Sequence, residues 1–253
     1  MSNLMLHAGG RLCTLDELRA VPTPAAEGRW HPVAHAAVLD TVTATLTGAG
    51  YAVKAQSLAI ARDGKRFFGT LDLTTPLTPD GTVALAVGIR NSTDKSFPLG
   101  FCAGSRVFVC DNLAFNAELL VKRKHTRFAA LKWNTEIAAA VAKLPSFADA
   151  EQARIARLMA THLTDDQALA LLVRAMEKHV IAAPTIPKVL VEWRTPTHDY
   201  GTGERPTAWK LLNCFTTVLG KRSVSNPAEY AGQTIRLNAL LAHAETADVP
   251  LSA

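Results

Sequence analysis

Residues 51–73 read YAVKAQSLAIARDGKRFFGTLDL, and this stretch decides the fold. Two runs with strand character, 51–61 and 66–73, flank Asp63-Gly64, a dipeptide suited to the positive φ angles of a hairpin turn. The pattern continues downstream. Asp80-Gly81 marks a second turn before an apolar run at 83–90, and the cluster Asn91-Ser92-Thr93-Asp94-Lys95-Ser96 has turn chemistry. A further strand is expected over 101–110, bulged at Gly104. Short connections of this kind join antiparallel neighbours.

On the N-terminal side, the apolar spacing of 33–46 suits a helix ended by Gly48 and Gly50. Residues 1–30, broken by Gly9-Gly10, Pro22 and Pro24, read as an irregular lead-in. On the C-terminal side the period changes. Asp111 or Asn112 is placed to cap a short helix through 115–120, and 136–144 presents Ile137, Val141 and Leu144 on one side. Ser146 with Asp149, and Thr164 with Gln167, have capping-box spacing. Pro206 opens a helix closed by Gly220, and Asn226-Pro227 opens the last one. The expected fold is α+β: an antiparallel sheet with one N-terminal helix, followed by a helical C-terminal half. A single domain is expected over 31–253, β-rich over 51–111 and helical over 112–253.

With 253 residues, 48% of them hydrophobic and 19% charged, the chain is neither disordered, collagen-like nor a disulfide-framework miniprotein. No apolar run approaches the roughly 20 residues of a membrane-spanning helix. The opening MSNLMLHAGG lacks the cationic region and long apolar core of a signal peptide, so a cytoplasmic setting is expected. The four cysteines contain no CxxC pair, which removes the usual zinc and redox spacings. Neither a P-loop nor a dinucleotide fingerprint is present, and no cofactor or metal is expected.

The net charge is +5, and it is concentrated. Between Leu119 and Thr135 stand Lys122, Arg123, Lys124, Arg127 and Lys132, with no acid; removing those five from the 27 Lys and Arg leaves 22 bases against 22 acids. Interleaved with them are His125, Phe128 and Trp133. Cations with nearby rings suit nucleic acid, because phosphates need counter-charge and bases need stacking faces. His125, surrounded by cations, should resist protonation.

A second polar group comprises Arg90, Asn91, Asp94, Lys95, Arg106, Asp111 and Asn112, around two expected strand ends. If those strands pair, the groups can gather at one end of the sheet. Asp94 and Asp111 are candidates to hold Mg²⁺ for phosphoryl chemistry, with Lys95 or Arg106 stabilising developing charge, although their spacing is not that of a tight ligand set. His31 and His35 stand at i, i+4, but no intervening Glu makes them a zincin helix and Pro32 disrupts the first position; a structural role is expected for both.

Residues 88–126 carry a family likeness in the loop RNSTDKS (90–96), the run GSRVFVCDNLAF (104–115) and RKHT (123–126). With TAWKLLNCFT at 207–216, they resemble the phage/plasmid-like protein family that is catalogued only as a domain of unknown function. The likeness covers about 30 to 240 and departs at Thr93, where the family has His. It implies a mobile-element or bacterial chromosomal setting rather than an activity. The plan is also broadly similar to that of phage single-strand-annealing proteins, a likeness of topology alone. The favoured expectation is therefore a non-enzymatic DNA-binding protein, with single strands one candidate form, a homo-oligomer possible and no membrane partner. The alternatives are a metal-dependent phosphoryl-transfer enzyme acting on nucleic acid, or a protein-interaction module with Ala-rich helices as docking surfaces.

Overall fold

A computed structural model describes residues 10–107, 112–200, 206–222 and 227–244. Six strands form one antiparallel sheet in sequence order: β1 (Arg11–Leu12), β2 (Val53–Ala61), β3 (Arg66–Pro76), β4 (Val83–Ser92), β5 (Leu99–Val107) and β6 (Asn112–Arg123). Every connection among β2 to β6 joins neighbours, as the turn chemistry requires. At the first turn Arg62, Asp63 and Gly64 all take positive φ, a conformation that Asp and Gly tolerate best. The register between β5 and β6 shifts between Cys102 and Gly104, where the bulge was expected.

Helices pack against the sheet. The helix α2 (His35–Gly48), preceded by α1 (Leu15–Arg19), buries Val38, Leu39, Val42 and Leu46. The helical half comprises α3 (Ala129–Val141), α4 (Leu144–Ala160), α5 (Asp165–Glu177), α6 (Ile186–Arg194), α7 (Ala208–Arg222) and α8 (Pro227–Ala244). Strand alternation places Phe67, Leu71, Val87, Ile89 and Phe101 in the core with α2 and with Trp133 and Ile137 of α3. The C-terminal helices α7 and α8 pack against β6. Among the described residues, no helix is long and apolar enough to cross a membrane, and Cys13, Cys102 and Cys214 form no disulfide.

Several local expectations are corrected. The short helix expected over 115–120 is the middle of β6, so sheet structure extends past 111 and the helices resume at Ala129. Residues 112–115 and 120–123 pair with β5 on either side of the register shift, and that ladder pairing outweighs a local capping preference. The lead-in is not wholly irregular. Arg11 and Leu12 pair with Ile60 and Ala59, and Thr14 with Glu17 forms a reciprocal capping box at α1. The Thr164–Gln167 box is also formed, but Ser146 caps nothing: α4 has already begun at Leu144, and the Ser146 hydroxyl donates to the Lys143 carbonyl instead. Gly220 does not end α7, which continues to Arg222.

Candidate functional site

The last residues of β6 run straight into the head of α3, and strand and helix periods sort the basic window between them. Along β6, Leu120 and Lys122 face outward while Val121 and Arg123 turn toward α3. Arg123 is half-buried in a two-point ion pair with Glu136, one arm of which is Nε to Oε2 at 3.0 Å. Lys124, Arg127 and Lys132 are exposed, as is Lys122. None of these four cations has an ion pair among the described residues. Phe128 is 59% exposed with the Arg127 guanidinium over its ring, and Leu131 beside it is 67% exposed.

Two members expected in this group point elsewhere. Trp133 is 1% exposed: Ala129, Trp133, Ile137 and Ala140 form the buried stripe of α3, so its indole belongs to the core and offers no face to a base. His125 is buried too, and its Nδ1 accepts a bond from the Val33 backbone N–H at 3.3 Å while its carbonyl accepts from His31 N–H at 3.2 Å. Its resistance to protonation comes from burial rather than from neighbouring cations.

Beneath this loop lies a polar layer that the sequence indicated only as turn and histidine residues. The His35 ring donates Nε2–H to the Gly64 carbonyl at 2.8 Å, which leaves Nδ1 to accept from the Asn91 amide at 2.9 Å. Asn91 also donates to the Val33 carbonyl at 2.8 Å. Burial pushes His35 down to about 4, so both imidazoles are neutral at physiological pH. Residues 31–35 are thus stitched to β4 on one side and to the basic loop on the other. Asn91 Oδ1, His125 Nε2 and Trp30 Nε1 are buried without a hydrogen-bond partner.

The second polar group is divided by the sheet. Arg90, Asp94 and Lys95 gather at the end where β4 leaves and β6 arrives. Asp94 is committed there: Oδ2 accepts from Arg66 Nε at 2.7 Å and Oδ1 from the Ser96 N–H at 3.1 Å. Burial opposes its charge, but the Ser96 and Arg66 bonds prevail and hold the carboxyl below its usual range. Lys95, at φ 64°, pairs with Glu27 and lies 5.0 Å above the Trp30 ring. Arg106 is elsewhere, six residues along β5 from Gly100, about 20 Å at the rise of a strand. It is buried with Asp72, Nε to Oδ1 2.6 Å, and reaches Thr70. Asp111 lies outside the described residues. Among the described residues no three His, Cys, Asp or Glu side chains converge as a metal-ligand group.

Strand register joins the two groups. Phe68, Arg90, Gly100 and Lys122 stand in one row across β3, β4, β5 and β6, on the face of the sheet opposite to Phe67, Ile89 and Phe101. Phe97, from the turn before β5, packs against Phe68 with ring centroids 5.4 Å apart and lies under the guanidiniums of Arg90 (5.4 Å) and Arg66 (6.0 Å). The sheet end thus carries Arg90 and Lys122 in one row with Phe97 against it, and Arg127 and exposed Phe128 follow in the chain after β6.

The chain is thus an α+β protein built on an antiparallel meander whose last strand carries a cationic end. A family model described as a domain of unknown function (DUF932) matches residues 25–241, and the chain belongs to that family. No curated protein and no solved structure matches it.

Proposed function

We propose that the junction of β6 and α3 binds nucleic acid, with DNA as the partner, in the mobile-element recombination or maintenance setting that the sequence resemblance implies. The observation that carries this reading is the set Lys122, Lys124, Arg127 and Lys132: four exposed cations without an ion pair among the described residues, between the end of β6 and the start of α3, in the same stretch as exposed Phe128. Unpaired cations at this density repel one another, and a polyphosphate relieves that repulsion while releasing condensed counterions. Phe128 supplies an aromatic face of the kind on which an unstacked base rests. Four contacts per chain are few for tight binding, so self-association that repeats the surface along one strand forms part of the same proposal.

Fluorescence anisotropy with labelled single- and double-stranded DNA at two salt concentrations tests it. Replacing the four cations by Ala should weaken binding and flatten the slope of log affinity against log salt by up to about 2.8 for single strands. Unchanged affinity and slope would remove this surface from consideration.

A further inference from the structure

Arg90 is an unusual arginine for a sheet. It is partly buried, and among the described residues it makes neither an ion pair nor a hydrogen bond, only the contact with the Phe97 ring. Its neighbour Arg66 is also over Phe97, but Asp94 neutralises Arg66. A guanidinium has five N–H donors, and leaving them unmatched while water is partly excluded costs stability.

Gly100 explains how the side chain lies. A Cβ at Gly100 would sit 2.9 Å from both Cγ and Nε of Arg90, so only glycine lets the arginine lie across β5. The residue opposite Gly100 on the far strand is Lys122. With strands about 4.8 Å apart, the Cα atoms of Arg90 and Lys122 are about 10 Å apart, a span that two long side chains can bridge across Gly100. The next residue of β5 on this face is Cys102, whose thiol burial pushes up to about 12, so it brings no negative charge. The Arg90 stem thus lies on Gly100 with Lys122 as the next cation across the sheet, and neither forms an ion pair among the described residues.

We propose that Arg90 and Lys122 form a subsite for one phosphate group of a nucleic-acid backbone, with Gly100 making room for the arginine stem and the Phe97 ring supporting its guanidinium. The inference rests on the nucleic-acid reading above and extends it from the loop onto the sheet face. The planar fork of arginine donates to two phosphate oxygens at once, whereas Lys122 contributes a point charge.

The test uses the full chain and a labelled oligothymidylate, comparing wild type with Arg90→Gln, Arg90→Lys, Gly100→Ala and the double variant Lys124→Ala/Arg127→Ala. Far-UV circular dichroism and melting temperature serve as fold controls. Arg90→Gln should reduce affinity about tenfold and lower the salt slope by about 0.7. Arg90→Lys should keep the slope but lose affinity several-fold, because the charge remains and the fork does not. Gly100→Ala should weaken binding without any change of charge; if it unfolds the chain, the two Arg90 variants still decide. Wild-type binding by Arg90→Gln, with weakened binding by Lys124→Ala/Arg127→Ala, overturns the subsite and leaves the broader reading standing. Wild-type binding by all variants overturns both. Inorganic phosphate at constant ionic strength separates the two sources of the anion. Displacement of the oligonucleotide that depends on Arg90 supports the backbone site. Phosphate binding through Arg90 without any effect of Arg90 on the oligonucleotide assigns the site to a free anion and overturns the proposal as stated.

Discussion

His35 has both ring nitrogens occupied only while it is neutral: one donates to Gly64 and the other accepts from Asn91. A second proton would set Nδ1–H against the Asn91 amide. The unfolded imidazole titrates near 6.5 and the folded one near 4, so protons favour the unfolded chain. This contribution to stability is complete above the unfolded value and declines as pH falls through 6.5 towards 4; the full shift corresponds to about 3 kcal/mol. His125, also depressed by burial, acts in the same direction. Urea unfolding between these pH values should therefore show a steeper loss for the wild type than for His35→Gln, and parallel profiles would contradict the assignment. The sequence placed both histidines among candidate groups by spacing and neighbours. Their burial depends on Val33, Gly64 and Asn91, which lie far from one another along the chain and leave no local trace.

At the level of elements, α3 and β6 show how periodicity separates residues that a charge count groups together. Phe128 and Trp133 are both aromatic and both lie in the basic window, yet one is 59% exposed and the other 1%. Trp133→Ala should cost about 3–5 kcal/mol in urea denaturation through the cavity it leaves, with binding affected only through folding. Phe128→Ala should leave the denaturation midpoint almost unchanged and weaken binding to single strands by about 1–3 kcal/mol, read by anisotropy. The stripe Ala129, Trp133, Ile137, Ala140 was there to be read, but the helix was expected to begin only at residue 136, which left Trp133 outside it. The strand β6 was missed for a different reason. Its residues carry no strong preference, and pairing with β5 decides their conformation, a contact between segments whose register is broken by a bulge. In contrast, the Asp63-Gly64 and Asp80-Gly81 turns and the Thr164–Gln167 box were legible because each is complete within four residues.

Across the whole molecule, one hydrophobic core runs from Leu18 of α1 through the sheet to Leu241 of α8. Sheet and helical half share that core, so they are expected to unfold together. Near-ultraviolet and far-ultraviolet circular dichroism should give coincident urea transitions, and a separate early loss of helix would show that the halves are independent. The net charge of +5 is likewise sorted by the fold: Arg123 is absorbed by Glu136, the other four cations of its window are exposed, and Lys122 among them shares a strand row with Arg90. Turn dipeptides, alternation and caps act over a few residues, so the α+β plan, the meander and the concentration of positive charge were already present in the order of amino acids. Which cations are neutralised, which rings face water, and that Arg90, Gly100 and Lys122 form one row are matters of strand register and helix packing. Those arise from contacts between distant segments, and only the folded chain brings them together.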